Sequence, residues 1–222
     1  KFALLMALTE LSVEQGADDE RTLFLSHKLL AGKFVSLYWQ QTAPYSSGLP
    51  QTTPEVLAQN KVAQAAVISQ IAQFRSAHPG VTLASAPSAS GYAAMVTSIA
   101  QTVTAQPVKY IQNLGGGAEL FLFERERGGV RLLPGVAYCL RRFQPLVMQL
   151  CRSHWVLHIK TNSLNIPRLG HHDDLERFLF ETTRQESIQP ISNRRCNEYD
   201  RCNHIFLKRG EPRIREIENH YQ

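Results

Sequence analysis

The chain has 222 residues, of which 43% are hydrophobic and 19% charged, and its mean hydropathy is −0.23. This composition is that of an ordinary soluble protein, long enough for one large domain or two small ones. Four cysteines are too few for a disulfide framework. No apolar run approaches the ~20 residues that span a bilayer, and no signal-peptide layout is present, so we expect a cytoplasmic protein with no membrane partner.

The net charge of +5 lies entirely in the second half of the chain. Residues 1–120 carry seven Lys and Arg against seven Asp and Glu, whereas residues 121–222 carry seventeen against twelve. A basic half beside a neutral one suggests a surface that faces a polyanion, most simply nucleic acid. A solvated cationic face is the alternative explanation.

Residues 1–105 predict four helices. Their segments are residues 1–16, 27–45, 54–80 and about 91–105. The first closes at Gly16, and Ser26 is expected to cap the second, which the turn at Pro44 ends. The third is expected to start near Pro54 and to end before Gly80.

The second half predicts a hairpin and two further helical segments. Two short alternating runs flank Gly128-Gly129, which indicates a hairpin near residues 118–133. A long periodic segment over residues 135–162 follows, which Pro145 is expected to kink or divide. Its predicted apolar stripe consists of Val136, Leu140, Phe143, Val147 and Leu150. The last helix is expected to include residues 171–185, with Asp173 or Asp174 near its cap.

Several motifs have a chemical and a structural interpretation. "GGG" at 115–117 is read as a flexible turn because it lacks the Gly-Lys-Ser/Thr ending of a phosphate loop. "HHDD" at 171–174 offers metal ligands, but its aspartates suit the positive end of a helix better. His154 and His158 have the i, i+4 spacing of zinc helices, although packing or phosphate contact is favoured. The two cysteines in apolar surroundings, Cys139 and Cys151, are predicted to be buried.

Cationic side chains along the periodic segment form a candidate phosphate-contacting face. Arg141 and Arg152 are eleven residues apart, which is three turns on one side of a continuous helix. The proposed face consists of Arg141, Arg142, Arg152, His154, His158 and Lys160. Phosphate contacts of this kind position a protein on nucleic acid without reading its sequence.

The C-terminal segment places two cysteines and a histidine close together, as Cys196-x5-Cys202-x-His204. This is not a standard structural-zinc spacing, and a four-ligand site would need His220 or further residues. Residues 194–215 hold seven basic and three acidic residues. The nucleic-acid-contacting candidates here are Arg194, Arg195, Arg201, Lys208 and Arg209.

Five stretches, taken in order, resemble bacterial HNH endonucleases of the restriction and phage-defence type. They span residues 1 to about 186 and read "KFALLMALTEL", "KFVSLYWQQTAPY", "VLAQNKVAQAAVIS", "LLPGVAYCLRRFQPLVMQLCRSHWVLHIKTN" and "LGHHDDLERFLFETTRQ". The predicted elements give a mainly α protein with a short β-hairpin, of α+β class, and the resemblance adds the organisation of the chain. A helical recognition region, residues 1–186, would be followed by a small ββα-type finger in residues 187–222 that is incomplete or divergent.

The resemblance also implies the roles of the finger residues. His204 would be the general base and Asn219 the loop-fixing residue, while Asn203 and His220 would bind a divalent ion, Mg²⁺ or Mn²⁺. Cys196 and Cys202 would hold a structural Zn²⁺, although they are six positions apart where the family has three. The expected function is metal-dependent hydrolysis of DNA phosphodiesters. The alternative is a non-catalytic DNA-binding or partner-binding subunit of a prokaryotic defence or nucleoprotein complex.

Overall fold

The computed structural model describes residues 1–46, 54–114, 117–169 and 172–180. These residues form a mainly helical α+β protein with a small antiparallel sheet, as the sequence predicts. The described helices are α1 Phe2–Gln15, α2 His27–Trp39, α3 Ala66–Ala77, α4 Tyr92–Val103, α5 Val136–Arg142, α6 Gln144–Thr161 and α7 His172–Phe180. The described strands are β1 Leu23–Ser26, β2 Asn113–Leu114, β3 Gly117–Ala118, β4 Phe123–Glu126 and β5 Gly129–Leu132.

Helix α1 lies at the centre of the core, packed against α2, α5 and α6. Its buried residues extend around most of its circumference and include Ala3, Leu4, Met6, Ala7, Leu8 and Leu11. A helix that is apolar on nearly all sides is one that other elements cover, which explains why its sequence has so little polar character. The chain leaves α1 at Gly16, as predicted, where the Gly16 N–H donates to Ser12 O.

Helix α2 begins as its sequence predicts. The Ser26 hydroxyl accepts a hydrogen bond from Leu29 N at 3.2 Å, which satisfies one of the free N–H groups at the start of the helix. The helix ends at Trp39, and a 3-10 turn over Gln40–Thr42 leads to Pro44. Helix α4 covers most of the predicted segment at 91–105 and passes into a π-helical turn, Thr104–Val108.

The predicted third helix starts twelve residues later than expected, at Ala66 rather than near Pro54. Polar side chains bind the backbone of the preceding segment and occupy the groups that a helix would pair. Asn165 accepts from Ala58 N at 2.8 Å and donates to Ala58 O at 2.8 Å. The Gln64 amide donates to Leu57 O at 3.0 Å. These bonds hold residues 54–65 as an irregular segment against the end of α6.

The predicted hairpin is confirmed as β4 and β5, and β1 extends it to a three-stranded sheet in the order β1-β5-β4. Its turn needs both glycines for different reasons. Gly128 has φ of +82°, a conformation that side chains with a Cβ rarely adopt. A Cβ at Gly129 would meet the carbonyl oxygen of Leu25 and the ring of Phe24 on β1.

Pro145 divides the long periodic segment into two helices, α5 and α6, and lies in the first turn of α6, where its missing N–H costs nothing. Because of this break, Arg141 and Arg152 lie on separate helices, so their spacing of eleven residues is not three turns of one continuous helix. The predicted apolar stripe is also wrong in part, since Phe143 and Leu150 are more than half exposed. The inner face of α6 consists instead of Met148, Cys151, Trp155, Val156 and Ile159.

Helix α7 begins at His172, which places Asp173 and Asp174 in its first turn. Among the described residues, no helix combines the length and apolar character that a bilayer span requires. All described residues fall within the predicted recognition region, 1–186. The predicted division at residue 186 therefore stays a prediction.

Candidate nucleic-acid interface

Residues 127–172 contain no Asp or Glu, and this stretch includes strand β5 of the hairpin, α5 and α6. Seven cationic residues lie in it: Arg127, Arg131, Arg141, Arg142, Arg152, Lys160 and Arg168. A run of this length with cations and no counter-charges raises the local positive potential. The structure separates the cations that are used inside the fold from those that face solvent.

Arg141, a predicted phosphate contact, is used inside the fold. Its Nη1 donates to the carbonyl oxygens of Ser12, Val13 and Gly16 at 3.2, 2.9 and 2.8 Å. Its Nε and Nη2 donate to Asp18 Oδ1 at 3.1 and 2.9 Å. The guanidinium therefore caps the C-terminal end of α1, where unpaired carbonyls attract a cation.

Arg152 and Arg131 are also held by neighbours. The Arg152 guanidinium lies over the ring of Phe180, 5.5 Å from its centroid. Its Nε is buried without a hydrogen-bond partner in the described part of the chain. Arg131 makes a forked pair with Glu126, and these hydrogen bonds lower the pKa of the Glu126 carboxyl. Both members of that pair are partly exposed, so it stabilises the hairpin only slightly.

Of the cations predicted to contact phosphate on this segment, Arg142 and Lys160 are not used inside the fold. Arg142 is exposed at the end of α5, and Lys160 is half-buried in the last turn of α6. No ion pair is formed by either side chain within the described residues. Arg125 and Arg127 are likewise exposed at the hairpin. Sequence reasoning missed these two, although the Gly-Gly turn beside them indicated an exposed hairpin tip.

The histidine pair on α6 packs against the N-terminus of the chain. The His154 ring stacks on Phe2, with centroids 6.2 Å apart and planes at 13°, and His158 meets the same ring edge-on. His158 Nε2 lies 2.8 Å from Gln59 O, at hydrogen-bond distance. The packing interpretation is confirmed. Nowhere in residues 1–46, 54–114, 117–169 and 172–180 do three His, Cys, Asp or Glu side chains gather as a metal site would need.

The cysteine prediction is half correct. Cys151 is buried on the inner face of α6, and burial raises the pKa of its thiol to about 11. Cys139 is exposed, because on the short helix α5 the buried positions are Ala137 and Leu140. The apolar neighbours of Cys139 in sequence therefore do not surround it in the fold.

The outer face of α6 carries an apolar stripe that the sequence reasoning assigned to the core. A rotation of about 100° per residue places Leu146, Leu150 and Leu157 within about 40° of one another. These three leucines are 51–55% exposed. Phe143, just before the helix, is also 55% exposed. Because α6 is apolar on its inner face too, it has the pattern of a helix covered on both sides.

The proposed finger residues lie outside the described part of the chain. They are His204, Asn219, Asn203, His220, Cys196, Cys202, Arg194, Arg195, Arg201, Lys208 and Arg209. Of the glycine triplet, Gly117 starts β3, and the other two positions are outside the described residues. The described site thus consists of three exposed arginines, the half-buried Lys160 and an adjoining apolar helix face.

These features define a mainly helical α+β protein with a cationic, partly apolar outer surface on α5 and α6. The chain belongs to the family described as domain of unknown function DUF8808, whose model matches residues 1–171. That match includes α1 to α6 and the described strands. No curated protein and no solved structure matches the chain.

Proposed function

We propose that this chain acts on DNA as a member of the HNH endonuclease family. The observation that carries the proposal is the acid-free run of residues 127–172, with its exposed cations Arg127 and Arg142. Duplex DNA offers closely spaced phosphates that cations without internal partners are suited to contact. The resemblance of five ordered stretches to HNH endonucleases supplies the reaction class.

In this proposal the helical body binds the DNA backbone and the C-terminal segment cleaves it. The His204 imidazole takes a proton from a water molecule, which attacks the phosphorus, and the bond to the leaving oxygen breaks. Asn203 and His220 would hold a divalent ion, whose chemistry is to stabilise negative charge on the phosphate and the leaving oxygen. Asn219 would fix the loop, while Cys196 and Cys202 would serve a structural Zn²⁺.

A second candidate function is a non-catalytic subunit that binds a protein partner. The outer apolar stripe of α6 favours it, since phosphates give no apolar surface for Leu146, Leu150 and Leu157 to bury against. Contiguous apolar patches on a folded surface commonly mark protein contacts. In this alternative Arg142 and Lys160, at the two ends of the stripe, would contribute charge to the same interface.

Cleavage of supercoiled plasmid with and without Mg²⁺ or Mn²⁺ tests the first function. We expect metal-dependent nicking that His204→Ala abolishes and that the matched variant His154→Ala, in the helical body, retains. Nicking that persists in His204→Ala would show that His204 is not the general base. DNA binding without nicking in any metal would leave the non-catalytic alternative.

A salt titration, followed by fluorescence anisotropy, tests whether the helical body binds the DNA backbone. Each lost phosphate contact reduces the slope of log K against log salt by about 0.9. Arg142→Gln removes one such contact, so the slope should become shallower by about 0.9. Failure to bind DNA at low salt would overturn the first function and leave the subunit that binds a protein partner.

A further inference from the structure

An open cavity of about 620 Å³ lies on the side of the molecule formed by the end of α1, by α2 and by the start of α4. Its volume falls in the range typical of small-molecule sites, about 300–1,000 Å³. The cavity shares no residue with the cationic interface of the hairpin, α5 and α6. Its lining therefore has no part in the proposed action on DNA.

Gly32, in the middle of α2, lines the cavity. A glycine inside a helix costs about 0.5–1 kcal/mol relative to alanine. No steric reason requires it here, because a Cβ built on Gly32 meets no atom within 4 Å. The missing side chain leaves space in the cavity, and a larger residue at this position would occupy that space.

The walls combine apolar surface with hydrogen-bond donors. Leu29, which is exposed, and Leu11, Ala93 and Val96 give the apolar part. The Tyr92 hydroxyl makes no hydrogen bond within the described residues, and burial raises the pKa of this phenol, so it stays protonated and able to donate at neutral pH.

One cation on the wall is uncompensated. Lys33 pairs with Glu10 at 3.2 Å and with Glu14 at 2.5 Å, and its pKa is raised despite burial because these carboxylates bind it. Lys28, one turn earlier on α2, forms no ion pair among the described residues. Lys33 is thus engaged by two carboxylates, and Lys28 is the cation of the lining that remains without an ion pair among the described residues.

We propose that this cavity binds a small amphiphilic anion, with an apolar body over Gly32 and Leu29 and its anionic group at Lys28. The cavity lining offers two donors, the Lys28 ammonium and the Tyr92 hydroxyl, and donors of this kind match a carboxylate, sulfonate or phosphate acceptor. The apolar body of such a ligand covers Leu29, whose side chain otherwise stays in water. The inference does not rest on the proposed action on DNA.

Two fluorescent probes that share an apolar body test the charge and the place together. The probes are 8-anilinonaphthalene-1-sulfonate, which is anionic, and N-phenyl-1-naphthylamine, which is neutral. We expect the full chain to bind one sulfonate probe per molecule, and to bind the neutral probe more weakly. Lys28→Gln should weaken the sulfonate by about fivefold, as for the loss of one exposed ion pair, and leave the neutral probe unchanged.

Two filling variants from opposite walls locate the site. Gly32→Leu from α2 and Ala93→Leu from α4 should each weaken both probes by about tenfold or more, since the apolar body no longer fits. Gly32→Leu favours helix and Ala93→Leu costs little helix propensity, so the fold should tolerate both. Circular dichroism and the melting temperature check this on the same samples.

The control variant Leu150→Gln alters the other apolar surface, on α6. It should bind both probes as the unchanged chain does. Probe binding that Leu150→Gln removes, or that both filling variants leave unchanged, would place the probe elsewhere and overturn the proposal. Absence of binding, or equal affinity for the two probes, would overturn it as well. None of these outcomes depends on whether the chain nicks DNA.

Discussion

The guanidinium of Arg141 and the carboxylate of Asp18 are 2.9 Å apart, and they join α5 to the segment that leaves α1. Asp18 is largely exposed, so the ion pair itself contributes little. The larger effect comes from the three carbonyl groups of residues 12–16 that Arg141 also binds. A charged donor shared by several backbone carbonyls is worth more than a surface ion pair.

Arg141→Ala should destabilise the protein by roughly 2–3 kcal/mol, because the carbonyls at the end of α1 lose a charged donor. Urea denaturation followed by circular dichroism measures the change. The neighbouring variant Arg142→Ala should stay within about 0.5 kcal/mol, since Arg142 is exposed and has no ion pair among the described residues. Equal effects of the two variants would contradict the structural role of Arg141.

The pair Arg141 and Arg142 also shows where sequence reasoning stops. Charge pattern placed both on a phosphate-binding face, yet the two side chains have different roles. The signals that worked were local ones, including the cap at Ser26, the glycine turn at 128–129 and the break at Pro145. Each of these depends on a few neighbouring residues, whose backbone preferences are visible in the sequence.

The features that could not be predicted depend on distant residues. Asn162 and Asn165 hold the backbone at Ala58, more than 100 positions earlier, and so prevent a helix there. No pattern in residues 54–65 predicts that Asn162 and Asn165 bind this segment. The cavity over Gly32 has the same origin, because its walls come from three helices and a single helix pattern does not reveal it.

A buried hydrogen-bond chain runs through Gln59. Its amide donates to Gln41 Oε1 at 2.8 Å, and its carbonyl oxygen Oε1 accepts from Trp155 Nε1 at 2.9 Å. Gln59→Leu leaves both partners buried and unpaired, so we expect a loss of about 2–4 kcal/mol. Thermal and urea unfolding measure it.

Two further variants test whether the loss comes from this hydrogen-bond chain. Gln149→Leu, at an exposed position on α6, should change stability by no more than about 0.5 kcal/mol. Trp155→Phe removes the indole N–H, which is one of the two groups that Gln59→Leu leaves without a partner. The double variant Gln59→Leu/Trp155→Phe should therefore cost less than the sum of the single changes, and strict additivity would argue against the bond.

His27 makes the stability depend on pH. Its Nε2 is buried without a hydrogen-bond partner among the described residues, and burial lowers its pKa from 6.5. It is also the first residue of α2, where the helix dipole disfavours a positive charge. The unfolded chain therefore binds a proton at a higher pH than the folded chain does, so this contribution is present above pH 6.5 and lost as the pH falls below it.

His27→Phe should make the free energy of unfolding fall less steeply between pH 7 and pH 5, because phenylalanine has no proton to bind. Urea unfolding at a series of pH values gives the two curves. An NMR titration of the His27 ring reports the folded pKa directly. A pKa above 6.5, or a variant curve steeper in acid, would reverse the sign of the argument.

The two cysteines of α5 and α6 should react with iodoacetamide at very different rates. Cys139 is exposed, whereas Cys151 is buried and burial raises its thiol pKa to about 11. A buried thiol with a raised pKa holds little reactive thiolate, so Cys151 should be alkylated roughly 100-fold more slowly than exposed Cys139 at pH 8. Peptide mapping by mass spectrometry assigns each site, and both should react alike in concentrated urea.

The same reaction tests whether α5 lies at the DNA interface. Cys139 and Arg142 are three positions apart on α5, so they lie on neighbouring parts of one helix face. If Arg142 contacts a phosphate, duplex DNA at low salt should slow the alkylation of Cys139, and added salt should restore the rate. Protection that Arg142→Gln also relieves would tie it to this contact. Alkylation that DNA does not slow, under conditions where DNA is bound, would place the interface away from α5.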